Sequence, residues 1–319
     1  MNISILGCGR WGSFLGWYLD HIGHKVKQWG LESEYTFQIL KQTKKNEYVN
    51  LSPTVELTSD LKYAVEKSDV LIISISSQNL REFIKTVTPL KISDKKFVLC
   101  MKGIEEHTGK RLSEILIENG IDKNKIAVWV GPGHIQDFTK GIPNCMVIDS
   151  ANKDLIKELV NNVKSKLIKF YYGTDLIGSE IGAAAKNVMG IAAGMLDGLD
   201  YVTLKGPLMT RGTKEVARLI KALGGNEMSA YGLCHLGDYE TTLFSRHSNN
   251  RMFGESFVKG QNFEKLAEGV KTASALMILA KKANVEMPIT AMVERIVNGQ
   301  CDAKTGLLEL FNREQKFEF

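Results

Sequence analysis

Short apolar runs alternate with amphipathic stretches through the first half of the chain. Ile3–Leu6, Lys25–Trp29, Val70–Ile75, Phe97–Met101, Ile126–Val130 and Cys145–Ile148 have the length and β-branched content of buried strands. Between them, Trp11–Ile22, Leu80–Val87 and Leu112–Ile117 carry apolar residues at helical spacing. Strands alternating with helices make βαβ units, so the pattern predicts a parallel sheet covered on both faces. Beyond about Gly178 the strand-like runs stop. Glu180–Leu199, Met209–Leu223, Phe263–Ala283 and Ile289–Val297 read as helices, with Gly224-Gly225 and Met287-Pro288 as stop and start signals. The expected architecture is an α/β domain over residues 1–177, followed by an all-helical domain over residues 178–319.

Composition narrows the classes. The chain has 319 residues, 44% hydrophobic and 24% charged, as a soluble globular protein with a sizeable core would have. Its net charge of +5 is spread along the sequence rather than gathered on one stripe, which argues against nucleic acid as a partner. The five cysteines, Cys8, Cys100, Cys145, Cys234 and Cys301, form no Cys-x-x-Cys pair, so neither a disulfide framework nor a metal site is expected. The start, Met1-Asn2-Ile3-Ser4-Ile5-Leu6, lacks the charged and long apolar regions of a signal peptide, and no apolar run is long enough for membrane insertion. A cytoplasmic protein is expected.

The first chemistry is in Gly7-Cys8-Gly9-Arg10-Trp11-Gly12, a G-x-G-x-x-G that follows an expected strand and opens an expected helix. In a Rossmann-type domain Gly7 permits the tight turn, Gly9 lets a pyrophosphate approach the backbone, and Gly12 lets helix and strand pack closely. The phosphates would sit at the positive end of the helix dipole. An acid about 20 residues further on would bind the ribose hydroxyls of NAD, whereas an arginine would favour NADP. Glu32 is available just after the second strand and no arginine is, which leans towards NAD and leaves NADP open.

A second feature is Lys186. It lies between Gly182-Ala183-Ala184-Ala185 and Val188-Met189-Gly190-Ile191-Ala192-Ala193, surroundings so small and apolar that a charge there would be costly without a function. Lys102 follows an apolar strand, at the end of the sheet where open α/β folds bind ligands.

With these residues in view, the chain resembles the bacterial NAD(P)-dependent glycerol-3-phosphate dehydrogenases. The resemblance rests on the glycine motif together with Lys102-Gly103-Ile104-Glu105, Gly131-Pro132, Ile177-Gly178-Ser179-Glu180, Lys186-Asn187-Val188, Thr210-Arg211-Gly212, Gly237-Asp238, Arg251-Met252-Phe253-Gly254, Glu268-Gly269 and Val285-Glu286-Met287-Pro288-Ile289-Thr290, in that order. It implies a Rossmann domain followed by a helical domain, a homodimer, and hydride exchange between a nicotinamide and sn-glycerol 3-phosphate, a route that feeds phospholipid synthesis. Lys186 then matches the catalytic lysine, Asp238 the acid that holds the substrate hydroxyls and orients the lysine, and Lys102 a contact to both substrate and cofactor. Gly131 and Gly133 fall at substrate-loop positions, as do Ser248, Asn249 and Asn250 at substrate-contact positions. Gly7, Gly9, Arg10, Trp11, Gly12, Glu32, Ile135, Asn249, Leu266 and Glu268 fall at cofactor positions.

The pattern also departs from that family. Asn249 stands where it carries a phosphate-gripping arginine, and Arg246 or Arg251 are the nearby cations that could substitute. Gly133-His134-Ile135 replaces a Ser-Phe-Ala or Ser-His-Ala loop, Asp200–Leu204 replaces a Gly-Asp-Asn turn, and Leu31 replaces a basic residue. The leading expectation is a dehydrogenase acting on glycerol 3-phosphate and its ketone. The alternatives are a related dehydrogenase for another small hydroxy or keto compound, because of Asn249, and a non-catalytic NAD-binding sensor.

Overall fold

The computed structural model describes residues 1–315, Phe317 and Glu318; Lys316 and Phe319, at the end of the expected second domain, lie outside the described residues. The chain divides into two compact units, Met1–Lys102 with Lys110–Glu180, and Gly103–Gly109 with Ile181–Phe319.

The first unit is built on eight strands: β1 (Asn2–Leu6), β2 (Lys25–Trp29), β3 (Glu56–Thr58), β4 (Val70–Ile73), β5 (Lys96–Leu99), β6 (Ile126–Val130), β7 (Asn144–Ser150) and β8 (Ile168–Tyr172). Their order in the sheet is β3-β2-β1-β4-β5-β6-β7-β8. The chain passes from β1 outward to β2 and β3, then returns to place β4 on the other side of β1. The C-terminal end of β1 is therefore the switch point at which such sheets bind ligands. β4 and β6 are buried along their whole length, which explains their unbroken apolar sequences.

All six expected strands are present. Two more are not visible as apolar runs. β3 has only three residues, and in β8 the lysine and outer tyrosines face solvent on an edge strand, which breaks the hydrophobic pattern. The expectation of a wholly parallel sheet needs one correction, because β7 runs antiparallel to β6. The segment between them holds only the short helix Ile135–Phe138. A parallel return needs a full crossover, and this connection makes none.

The second unit is helical, with the long helices Leu176–Gly198 (shared at its first turns with the first unit), Lys205–Ala222, Asn249–Val258, Gly269–Ala283, Pro288–Val297 and Ala303–Phe311. The helix expected from Phe263 starts only at Gly269. Its first N–H donates to the Asn250 side chain at 2.9 Å, and the Leu266 carbonyl accepts from the Asn249 amide at 3.3 Å, so Phe263–Glu268 is held as a strap rather than wound into the helix. Leu176–Gly198 packs closely on its neighbours because its interior carries glycine. A Cβ at Gly194 would run into the Arg251 carbonyl, and one at Gly254 into the Ile191 carbonyl. Among the described residues no helix is long and apolar enough to cross a membrane.

Candidate functional site

At the switch point the three glycines of the opening motif have different constraints. Gly7 has φ +122°, and a Cβ there would overlap the Ser74 carbonyl. A Cβ on Gly12 would overlap the Gly7 carbonyl oxygen. A Cβ on Gly9 would meet nothing within 4 Å, so the backbone there faces open space. Gly9 is also the N-cap of the helix Arg10–His21, and no side chain caps that helix. The arrangement fits a pyrophosphate: an uncapped helix start beside backbone that no side chain covers. The Cys8 thiol between the glycines stays protonated, since burial, reinforced by a hydrogen bond to Glu34, pushes it up to about 12. It therefore adds no negative charge beside the phosphate position.

The other residues expected at this end are distributed as follows. Arg10 donates to the Gln136 carboxamide at 3.3 Å and lies over the Tyr48 ring. Trp11 packs against Phe14 and Phe138, and Phe14 stacks on Phe138 at 5.0 Å. That aromatic cluster joins the glycine helix to the loop after β6. In the loop, Gly131 has φ +131° and Gly133 φ +155°, and a Cβ on Gly133 would overlap the Phe138 ring. Packing thus accounts for glycine at 133, where the resemblance led to a serine. Lys102 donates to the Gly131 carbonyl at 2.7 Å, which ties the segments after β5 and β6 together. The Ile135 side chain is buried in the core, so only its backbone is left to meet a ligand. Glu32 is exposed and its carboxylate accepts from Lys41 and Ser59, whereas Glu34, which sequence reasoning passed over, reaches the glycine turn through Cys8.

In the second unit the cluster centres on Lys186. Its Nζ is 2.7 Å from Asp238 Oδ2 and donates to Thr242 Oγ1 at 2.8 Å; the two charged side chains are 10% and 1% exposed. An ion pair this deeply buried is costly to leave half-made, which fixes both partners. Asp238 ends a short 3-10 turn, Leu236–Asp238, and Thr242 lies in the π-helical turn Glu240–Phe244 that follows. Thr241 also donates to Asp238 Oδ1. Below the pair lies His235, whose Nδ1 is 2.9 Å from the Gly182 carbonyl and whose Nε2 is 2.6 Å from the Tyr239 hydroxyl. This geometry suits a neutral ring that donates from Nδ1 and accepts at Nε2. Burial, with Lys186 nearby adding to it, depresses the ring to about 4.

Thr242, His235 and Tyr239 were not singled out from sequence. Each touches a residue on its own turn or one more than fifty positions away, and no local pattern marks such contacts. Ser248 caps the helix Asn249–Val258 by accepting from the Arg251 N–H, while Asn249 and Asn250 bond to the strap and to the start of the next helix. Leu266 is exposed, and Glu268 precedes Gly269 without a side-chain cap bond. Lys186, Asp238, Ser248, Asn249, Asn250, Leu266 and Glu268 thus belong to the second unit, whereas the glycine turn, Glu32, Lys102, Gly131, Gly133 and Ile135 belong to the first.

Comparison with known proteins gives concordant matches. The family model for the N-terminus of NAD-dependent glycerol-3-phosphate dehydrogenase matches residues 2–156, and that for the C-terminus matches residues 175–307. The NAD(P)-dependent glycerol-3-phosphate dehydrogenase of Prosthecochloris aestuarii is 32% identical over 331 residues, covering 100% of each chain. That of Fusobacterium nucleatum is 34% identical, covering 100% of this chain and 98% of its own. The crystal structure of glycerol-3-phosphate dehydrogenase from Coxiella burnetii has a TM-score of 0.91 at 28% identity, covering 98% of this chain and 99% of that one.

Proposed function

Because this chain belongs to the NAD-dependent glycerol-3-phosphate dehydrogenase family, we propose that it interconverts sn-glycerol 3-phosphate and dihydroxyacetone phosphate as an NAD(P)-dependent oxidoreductase. The observation that carries the reading is the buried pair of Lys186 and Asp238. A ketone that gains a hydride at carbon needs a proton at oxygen. The bound dinucleotide supplies the hydride chemistry. Lys186, as an ammonium, holds the proton at Nζ and gives it to the oxygen as charge develops there, leaving a neutral amine that regains its proton from solvent. Asp238 and Thr242 take two of the three donor directions of that ammonium and so fix where it points.

For the dinucleotide, the residues that would hold it are the backbone of Gly7, Gly9 and Gly12 with the helix start at Arg10 and Trp11. Glu32, Lys102, Ile135, Asn249, Leu266 and Glu268 are assigned around it on the resemblance. Lys102, Gly131, Gly133, Lys186, Asp238, Ser248, Asn249 and Asn250 are assigned to the substrate. The exposed Glu32, preceded in the sequence by Leu31 rather than a basic residue, supports NAD over NADP, and the one cation at its carboxylate among the described residues, Lys41, is paired with it. The five free thiols support work in a reducing compartment such as the cytoplasm, and the resemblance supports a homodimer.

The test follows NADH absorbance with dihydroxyacetone phosphate, with NADPH in parallel. Oxidation of NADH by this ketone is expected. Turnover confined to other ketones, or tight NADH binding without any turnover, overturns the reading.

A further inference from the structure

We propose that Arg246 is the cation that grips the substrate phosphate in this chain, an inference that rests on the reading just given. The segment that carries it has both ends on the helix turn that follows Lys186. A Cβ on Gly190, four residues on from Lys186, would lie 2.9 Å from Thr242 Cγ2 and 3.2 Å from Asn250 Cβ. Thr242 is the same residue that accepts from Lys186 Nζ. Arg246 is midway between these two footings, in a turn closed by the His247 N–H donating to Ser245 Oγ at 3.1 Å. It is exposed and has no hydrogen-bond or ion-pair partner among the described residues.

The neighbouring cations are committed elsewhere. Arg251 Nε lies 2.6 Å from Asp197 Oδ2, and its guanidinium also reaches Glu255 at 3.3 Å. Lys205 pairs with the other Asp197 oxygen at 2.6 Å and donates to the Leu243 carbonyl at 3.1 Å. Lys186 is held by Asp238. Asn249, at the first position of the helix, donates its amide to the Leu266 carbonyl and brings no charge. In the substrate one methylene separates the phosphate ester from the carbonyl that Lys186 protonates. An arginine on a loop anchored over the same helix turn is therefore placed to meet the phosphate with two parallel N–H groups. A competing cation is Lys265, beside Leu266, exposed and without a partner among the described residues.

Steady-state kinetics of Arg246→Gln at saturating NADH test this, with Arg246→Lys and Lys265→Gln alongside. Arg246→Gln is expected to raise KM for dihydroxyacetone phosphate roughly ten- to a hundredfold with kcat within about threefold, as loss of a charge-assisted ground-state contact does. Turnover of unphosphorylated dihydroxyacetone and the Kd for NADH stay unchanged, Arg246→Lys recovers part of the KM, and Lys265→Gln has no effect. An unmoved KM, equal losses on the phosphorylated and unphosphorylated ketones, or an effect carried by Lys265 overturns the proposal. Inorganic phosphate binding, followed by phosphorus NMR, separates this from the reaction itself. If wild type turns over no ketone yet binds phosphate in an Arg246-dependent way, the assigned reaction fails and the anion site stands. Phosphate binding that survives Arg246→Gln, or that wild type also lacks, overturns the site.

Discussion

Around Gly9 the groups offered to a ligand are backbone, whereas around Lys186 they are side chains. The first end works by leaving space: no Cβ, no capping side chain, and a thiol kept neutral. The second works by filling space, with an ammonium, a carboxylate, a hydroxyl, an imidazole and a phenol interlocked and almost fully buried. A backbone site depends on the volume of a single added methyl group. A buried polar cluster depends on charge and hydrogen-bond count, because each member left unpaired carries a desolvation penalty.

The largest effect expected is at Lys186. Lys186→Met should lower kcat by roughly 10²- to 10⁴-fold, the usual contribution of a general acid, while the Kd for NADH stays as in wild type. A stopped-flow or steady-state assay beside a fluorescence titration reads both. If kcat hardly changes, the side-chain end is structural and the comparison fails.

Next comes His235. Its folded-state pKa of about 4 lies below the ordinary 6.5, so the folded protein binds fewer protons than the unfolded chain between those values. The resulting stability is intact above about pH 6.5 and is lost as the pH falls towards 4, by about 3 kcal/mol in all. The buried acids Asp149, Glu180 and Glu215 are raised by desolvation and act in the opposite sense, so the histidine is isolated by difference. In urea unfolding, His235→Asn should remove this part of the acid-side loss. Parallel pH profiles for wild type and variant would show that His235 is not buried neutral.

The smallest effects belong to the glycine turn and separate its two kinds of glycine. Gly9→Ala should fold with wild-type stability, since its Cβ meets open space, yet weaken NADH on the order of tenfold, about 1.4 kcal/mol. Gly12→Ala should cost about 1–3 kcal/mol of stability through its overlap with the Gly7 carbonyl. Thermal unfolding and NADH titration of the pair check this. Equal stability losses in both would remove the distinction between space kept for a ligand and space needed for packing.

The glycine end was legible because its signal is local. The strand, turn and helix sit within about twenty consecutive residues, and φ at Gly7 follows from the turn itself. Lys186 was legible for a related reason, since flanking alanines and glycines at helical spacing announce burial on every side. The strap at Phe263–Glu268 was misread as helix because its spacing is helical, and only the asparagines at 249 and 250 show why it stays unwound. β7 was read correctly as a strand, but its direction was not in its residues. Direction depends on whether the preceding connection crosses the sheet, which is a property of the assembled chain.

What the amino-acid order determined alone is six of the eight strands and their alternation with helices, the turn that admits a pyrophosphate, and a lysine that has to be buried, because each follows from neighbours in the chain and from the cost of removing charge from water. What the tertiary structure decided is which groups pair with that lysine, that Arg251 is taken by Asp197 while Arg246 is left exposed, and that Gly133 makes room for Phe138. Those outcomes depend on side chains that are distant in sequence and share one small volume, and only folding brings them there.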